Sequence, residues 1–424
     1  MRIIADLHIH SKFSRATSKD MDVRTIALWA KKKGIDIVGT GDFTHPLYFS
    51  LLKSELRSAQ NGLFSLKDTN RPPYFMLTAE ISHIYSEGGK MRRIHNIILA
   101  PSFEAALKIN SALSKRGNLS SAGLPILGIP AKEIVKIAMD ASPDCMVIPA
   151  HAWTPWFSVF GSNSGFDSIE ECFGEYSRYI HAIETGLSSD PAMNWRLSGL
   201  DRITLISNSD AHSPSKLGRE ANVFDAEMDY NEIVRIIKEK DKKRFLFTIE
   251  SYPEEGKYHY DGHRACNIML SPEDTKKHRG RCPVCGKPVT VGVMSRVEEL
   301  SDRKAGFIPE DAIPARHLVP LEEIIAEALA VGVNTSTVQK EYDRMIAMAG
   351  SEFFILLDMP EEEIKRITEP RVSEGIMRVR NKQLSITPGY DGIHGVISIF
   401  GKKRQKIDIK EEADMPEKGQ MGLF

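Results

Sequence analysis

The run IIADLHIH at residues 3–10 is the stretch on which the interpretation of the fold depends. An apolar strand leads into His8 and His10, and side chains two residues apart point to the same face of a strand. Two imidazoles on one face suit a shared metal site. Apolar runs that lead to histidine or carboxylate recur along the chain, at Asp42, His45, Glu80, His95, His151, Asp210 and His212.

Strand-like and helix-like patterns alternate over residues 1–250. One helix is expected after Asp22, a residue type that caps helix N-termini, and it should end at Gly34. Such alternation predicts parallel βαβ units, and polar residues that follow the strands are typical of α/β barrels. We therefore predict an α/β fold in which residues 1–250 form a barrel with its site on one face.

The six histidines and three carboxylates of this set point to metal-dependent hydrolysis. Imidazole and carboxylate together suit zinc, manganese or iron, and shared carboxylates allow several ions to lie close together. Such clusters hydrolyse phosphoesters. A single histidine after a strand is usually an ordinary hydrogen-bonded residue, but the recurrence favours a metal site. The candidates for catalytic roles are Glu80, Asp210 and His212.

A second metal site is predicted within residues 251–300, a segment rich in Gly, Pro, Cys, His and basic residues. Two pairs of possible ligands, each with two intervening residues, have the spacing of a structural zinc module. They are His263 with Cys266 and Cys282 with Cys285, and His278 is an alternative to His263. We expect Zn²⁺ in this module and in the barrel site.

Basic residues cluster beside these cysteines, at residues 276–281 and Lys287. The cluster could contact the phosphate backbone of a nucleic acid, or it could be a solvated face of the module. The polar loop at residues 10–19 could likewise hold a phosphate, or it could be a solvated loop. The aromatic loop at residues 152–161 could stack on a base, or it could pack against the barrel rim.

The last part of the chain carries helical patterns. Residues 301–401 are predicted to form a helical domain that ends in a hairpin, and residues 402–424 a charged flexible tail. The final residues Gln420–Phe424 resemble part of a sliding-clamp binding box, although a tail end without function is the alternative.

Composition excludes some functional classes. The chain has 424 residues with 56 Lys and Arg against 57 Asp and Glu, so it has no overall basic charge that attracts nucleic acid. No apolar run approaches the length of a membrane span, and five cysteines do not form a disulfide scaffold. We expect a cytoplasmic enzyme with no membrane partner.

In their order along the chain, the barrel candidates resemble the motifs of the PHP (polymerase and histidinol phosphatase) superfamily. The resemblance implies a distorted seven-stranded β/α barrel that holds three metal ions. Many members place the second-motif histidine directly after the aspartate, whereas Phe43 and Thr44 separate Asp42 from His45 here. Which of these two residues binds metal is therefore open.

The segments after the barrel narrow this resemblance. EEGKYHYDGHR (254–264), CPVCGK (282–287), the helical region and GYDG (389–392) make almost the whole chain similar to the endonuclease Q family of DNA repair nucleases. The resemblance implies cleavage of damaged DNA on the 5′ side of uracil, hypoxanthine, xanthine or an abasic site, with Mg²⁺ or Mn²⁺ for activity. It also implies a prokaryotic enzyme that acts at the nucleoid. The alternatives are a phosphatase of small phosphomonoesters and a DNA- or clamp-binding scaffold with an inert barrel.

Overall fold

A mixed sheet of eleven strands lies at the centre of this computed structural model, which describes residues 1–69 and 71–401. The predicted tail, with the possible clamp-binding residues Gln420–Phe424, lies outside the described residues. In chain order, the strands are Arg2–Asp6 (β1), Ile37–Gly39 (β2), Leu56–Gln60 (β3), Leu63–Leu66 (β4), Tyr74–Glu87 (β5), Lys90–Ala100 (β6), Ile126–Leu127 (β7), Met146–Pro149 (β8), Ala182–Glu184 (β9), Thr204–Ile206 (β10), Ala221–Asp225 (β11), Phe245–Glu250 (β12), Asp261–His263 (β13), Ile268–Leu270 (β14), Ala315–His317 (β15), Ser385–Thr387 (β16) and Val396–Ser398 (β17).

Helices lie between these strands and form most of the C-terminal region. The α-helices are Val23–Lys33 (α1), Pro46–Glu55 (α2), Phe103–Leu113 (α3), Ala131–Ala141 (α4), Ile169–Phe173 (α5), Pro191–Asn194 (α6), Tyr230–Lys238 (α7), Pro272–Lys277 (α8), Val293–Leu300 (α9), Leu321–Leu329 (α10), Ser336–Ala349 (α11), Glu361–Ile367 (α12) and Pro370–Arg380 (α13). Short 3₁₀ turns occur at Gly174–Tyr179, Ser198–Leu200, Pro214–Lys216, Pro253–Glu255 and Arg264–Cys266, and a π-helical turn at Phe354–Asp358. None of the described helices is long and apolar enough to cross a membrane.

The sheet is mixed, and the expectation of uniformly parallel βαβ units is wrong. Its main path runs β15-β12-β11-β1-β2-β5-β4-β3, with β6 and β7 paired to β5 and β8 paired to β6. The pairs β1–β2 and β2–β5 are parallel, but β1–β11, β5–β6 and β6–β8 are antiparallel. Strands β9 and β10 form a separate parallel pair. The α/β class is therefore confirmed, while a seven-stranded ring stays a prediction.

Helix α1 forms as its sequence predicts. The Asp22 carboxylate accepts hydrogen bonds from the backbone N–H groups of Arg24 and Thr25, which satisfies donors that the helix cannot pair internally. At the other end, Gly34 adopts a φ of +87°, a conformation that glycine tolerates best. The face that packs into the core consists of Val23, Ile26, Ala27 and Ala30.

A long hairpin corrects the predicted positions of two site residues. Strand β6 pairs over its whole length with residues 77–87 of β5, with Glu80 opposite Ile97 and His95 opposite Ser82. Glu80 and His95 therefore lie inside strands, and the expectation that strand ends deliver them is wrong. The turn is Gly88-Gly89, with φ of +61° and +73°, and such a pair is a sequence signal for a tight hairpin.

The C-terminal helices pack against the first region through a buried ion pair. Lys33 Nζ, at the end of α1, lies 2.6 Å from Glu352 Oε2, and both side chains are almost fully buried. The same carboxylate accepts hydrogen bonds from the Tyr342 hydroxyl and the Leu321 backbone N–H. In addition, β15 joins the central sheet beside β12. The described C-terminal residues thus share a sheet and a core with residues 1–250.

Two buried acidic residues lie where strands β11 and β12 meet. Ala221 pairs with Ile249, so the preceding Glu220 lies opposite Glu250 on the neighbouring strand, and both are fully buried. Burial raises the pKa of Glu250 to about 8, against hydrogen bonds from Thr185 and Ser207 that lower it. The protonated form is therefore the one that the folded protein favours.

We predict that Glu250 makes the folded protein less stable as the pH rises from about 4.5 to about 8. The unfolded chain releases this proton at the lower pH, so the free energy of unfolding falls by roughly 1.4 kcal/mol per pH unit from this group. Glu250→Gln mimics the protonated acid and should flatten that part of the profile. Urea unfolding between pH 5 and pH 8 measures it, and parallel profiles for the two proteins would contradict the prediction.

Candidate metal centre and nucleic-acid interface

Six of the predicted barrel ligands converge. Two groups each have ligand atoms that all lie within 4.8 Å of one another, and each group could hold a metal ion. The first group combines the segment after β1 with the loop after β10, and the second combines the β5–β6 hairpin with the loop after β8. Their members are His8, His10 and Asp210, and Glu80, His95 and His151.

The carboxylate of Glu80 connects the two groups. Its Oε1 lies 2.7 Å from His95 Nδ1 and 3.2 Å from His151 Nε2. Its Oε2 lies 3.3 Å from His10 Nε2 and 3.7 Å from His8 Nε2. A carboxylate between two sets of imidazoles is the arrangement in which neighbouring ions share a ligand.

The donor set fits divalent cations. His8 Nε2 and Asp210 Oδ1 are buried, yet neither has a hydrogen-bond partner among the described residues. Buried polar atoms are rarely left without a partner, and a cation between them would satisfy both. Imidazole nitrogens with carboxylate oxygens suit zinc and manganese.

The histidines also keep the shared carboxylate ionised. Burial would raise the pKa of Glu80, but the neighbouring His95 and His8 hold it well below its usual range. An ionised carboxylate is the form that binds metal.

Three predicted ligands lie beside these groups. Asp42 Oδ2 accepts hydrogen bonds from the Ser11 N–H at 2.7 Å and the Ser14 hydroxyl at 2.9 Å. The His45 ring stacks on Phe13, with centroids 4.5 Å apart. The His212 ring lies 4.4 Å from that of His10. Metal binding by Asp42, His45 and His212 stays a prediction, because their ligand atoms are outside both groups.

Glu184 is a site residue that the sequence patterns do not single out. It ends β9, it is fully buried, and its carboxylate lies 3.0 Å from His8 Nδ1. The available signal was the apolar run at residues 180–183, which ends in this carboxylate like the runs before the predicted ligands.

A cavity of about 710 Å³ opens beside His95 and His151. Its walls come from the aromatic loop (residues 152–161) after β8 and from residues 253–259. The latter precede residues 263–287, which we call the cysteine segment. Trp156, 39% exposed, and Phe157 line it, whereas Trp153 and Phe160 are buried in the core. The aromatic loop thus contains both residues that pack and residues that face open space.

The cysteine segment also forms a candidate metal site. The ligand atoms of His263, Cys266, Cys282 and Cys285 lie within 4.8 Å of one another, and His278 is outside this group. Burial would raise the pKa of Cys282, but the backbone N–H groups of Cys285 and Val284 lower it to about 7. Four ligands of these types match a structural zinc site.

The basic cluster beside this site is partly neutralised. Lys276 pairs with Glu298 at 3.1 Å, and Lys277 pairs with Glu273 at 3.1 Å. Arg279 and Lys287 are exposed and have no ion pair within the described ranges. The sequence therefore overstates the number of cations available for phosphate, because Glu298 and Glu273 pair with two of the lysines.

We predict that His263→Ala removes zinc from the cysteine segment, since it leaves three ligands in a site that needs four. Zinc released to a colorimetric chelator, counted per chain, measures the loss. His278→Ala is the matched control because this residue is in the same segment but outside the ligand group. Normal zinc content in His263→Ala, or a loss in His278→Ala, would contradict the assignment.

Two solved structures resemble this chain over nearly its full length. One is the lesion-specific endonuclease PfuEndoQ from Pyrococcus furiosus, 31% identical with a TM-score of 0.83, which covers 96% of this chain and 98% of that one. The other is endonuclease Q in complex with a 27-mer duplex that carries an abasic lesion at the active site. It is 32% identical with a TM-score of 0.81, and the match covers 96% of this chain and 100% of that one.

Residues 320–383 match the family described as the MJ0043 C-terminal domain. The uncharacterised protein MJ0043 of Methanocaldococcus jannaschii is 36% identical over 270 residues, which are 62% of this chain and 33% of that protein. The match thus spans about a third of the length of that relative. Since both solved relatives exceed 30% identity over almost their entire length, the chain belongs to the endonuclease Q family.

Proposed function

We propose that this chain cleaves damaged DNA at the phosphodiester bond on the 5′ side of a deaminated base or an abasic site. Its family membership makes it a metal-dependent DNA endonuclease. The observation that carries the proposal is the cavity beside the metal-ligand groups, because it offers space for a damaged nucleotide next to the hydrolytic site. The related complex with an abasic lesion at its active site supports the same substrate class.

The barrel residues would hold the ions in two neighbouring positions. His8, His10 and Asp210 would hold one ion, and Glu80, His95 and His151 would hold a second. Divalent ions in these positions would supply the Lewis acidity that phosphodiester hydrolysis needs near neutral pH. We propose Mg²⁺ or Mn²⁺ for activity, with Zn²⁺ in the cysteine segment and in the barrel.

Side chains of the cavity would bind the DNA around the reacting phosphate. Arg93 and Lys257 line the cavity together with His95, so they place positive charge beside the metal ligands. Charged donors bind phosphate oxygens and fix the position of a strand without reading its sequence. The phosphates that flank the scissile bond are therefore their expected partners.

The damaged nucleotide must leave the duplex to reach this site. An enzyme that inspects one base takes it out of the stack, and the cavity beside His95 and His151 has room for it. Trp156 and Tyr258 meet edge to face across the cavity lining, with ring centroids 5.8 Å apart, and Phe157 lies beside His95. Aromatic faces stabilise an extruded base by about 1–3 kcal/mol through stacking.

The cysteine segment would present the DNA to the barrel. Its following helix α9 is joined to the aromatic loop, because Arg296 donates hydrogen bonds from Nε to the Phe160 carbonyl and from Nη2 to the Phe166 carbonyl, each at 3.1 Å. The exposed Arg279 and Lys287 are available for the phosphate backbone on the same module.

Duplexes that carry one uracil, hypoxanthine or abasic site test the proposal. With Mn²⁺ or Mg²⁺, we expect incision directly 5′ of each lesion, none in undamaged duplex, and none with Asp210→Ala. Trp156→Ala should lower kcat/KM about tenfold for uracil and hypoxanthine, since it removes a stacking surface, and should change the abasic substrate little. Mapping the cleaved ends on a sequencing gel measures each result.

The same preparation offers its own control. A small phosphomonoester should release no phosphate under the same conditions. Phosphate release from the monoester without incision of any lesion would contradict the proposal, and so would an equal effect of Trp156→Ala on all three lesions.

A further inference from the structure

His8 and His10, which follow β1, each have one ring nitrogen directed to the candidate metal groups and the other to a buried carboxylate behind the ring. The Nε2 atoms of His8 and His10 face Glu80 and Asp210. On the opposite edge of each ring, His8 Nδ1 lies 3.0 Å from Glu184 Oε2 and His10 Nδ1 lies 3.2 Å from Asp42 Oδ1. The two rings therefore have the same arrangement with different partners.

Glu184 receives hydrogen bonds from three strand ends. Besides His8, its Oε1 accepts from the Asn208 side-chain amide at 3.0 Å, and its Oε2 accepts from the His151 backbone N–H at 2.8 Å. His151 has a φ of +30°, which is unusual outside glycine, so this backbone bond holds a strained turn. One carboxylate thus positions His8 and His151, which belong to different metal groups.

Asp42 is enclosed by its own hydrogen bonds. The Ser11 N–H, the Ser11 hydroxyl and the Ser14 hydroxyl all donate to Oδ2, which leaves Oδ1 for His10. The backbone of Gly123 packs against the carboxylate so closely that a Cβ atom there would overlap it. The surroundings of Asp42 leave no space for an ion bound to Oδ2.

We infer that Glu184 and Asp42 are positioning residues that hold His8 and His10 with the proton on Nδ1, so that each Nε2 lone pair faces the metal. Asp42 then acts through His10 rather than as a ligand. A carboxylate behind a metal-binding imidazole fixes its tautomer and orientation and raises its basicity. This inference rests on the metal centre of the proposed function. It assigns Glu184 and Asp42 the role of orienting two metal ligands that they contact.

The test is Mn²⁺ binding to protein that carries zinc in the cysteine segment alone (one zinc per chain by metal analysis), followed by the electron paramagnetic resonance signal of free Mn²⁺. Thiolate ligands disfavour Mn²⁺, so the titration reports the barrel site. Glu184→Gln should weaken Mn²⁺ binding about 10- to 100-fold. Glutamine has one acceptor oxygen, and its amide would face a donor of either Asn208 or His151.

Adding Asn208→Asp to Glu184→Gln should restore the Mn²⁺ affinity that the single substitution lowers. In Glu184→Gln/Asn208→Asp, the new carboxylate can accept from the glutamine amide, and the glutamine oxygen can still accept from His8 and His151. We expect this double variant to recover most of the Mn²⁺ affinity. Asn208→Asp alone should weaken binding, because it sets two buried carboxylates against each other.

Glu250→Gln is the matched control. Glu250 is as deeply buried as Glu184 but bonds to Thr185 and Ser207 instead of a histidine, so its replacement should leave Mn²⁺ affinity unchanged. Thermal unfolding of the metal-free proteins identifies variants that lose affinity because they unfold. Asp42→Asn should weaken binding as Glu184→Gln does, without lowering the number of ions bound at saturation.

Several outcomes would overturn the inference. They are wild-type affinity in Glu184→Gln, equal losses in Glu250→Gln, no recovery in the double variant, or no Mn²⁺ binding by the wild-type protein. The titration contains no DNA. Normal Mn²⁺ binding with no incision of lesion duplexes would therefore contradict the proposed function while leaving this inference standing.

Discussion

The interaction on which the site depends is the contact of one buried carboxylate, that of Glu80, with four imidazoles. Its two oxygens lie 2.7 to 3.7 Å from nitrogens of His95, His151, His10 and His8. Bringing so many polar groups together away from water is costly unless cations or protons balance them. Strands of both parallel and antiparallel pairs contribute to this contact. Metal ions bound there would balance the charge of the buried carboxylates.

A second buried carboxylate, that of Glu184, connects the segments around the Glu80 contact. Glu184 joins the ends of β1, β8 and β10 through His8, His151 and Asn208, so it connects strands that lie far apart in the chain. Helix α9, which follows the cysteine segment, is similarly tied to the first region through Arg296. The cavity lies where the second candidate metal group meets the residues that precede the cysteine segment.

The sequence predicts the convergence of the candidate ligands better than it predicts the pairing of the strands. His8 and His10 could be paired in advance, because the twofold period of a strand places both on one face. Glu80 and His95 lie together in one candidate metal group as expected, but the sequence places them wrongly in their strands, since antiparallel pairing through Gly88-Gly89 looks like two separate apolar runs. The role of Glu184 depends on contacts with residues 33 and 176 positions away, which no local pattern contains.

The central claim is that the converging strands form a metal centre, and anomalous diffraction from crystals grown with Zn²⁺ and Mn²⁺ tests it most directly. Data collected at the absorption edge of each metal identify the ions. We expect one peak among His8, His10 and Asp210 and another among Glu80, His95 and His151, at about 2.0–2.2 Å from their ligand atoms. A difference map with no anomalous peak at either position, while the cysteine segment shows one, would contradict the account.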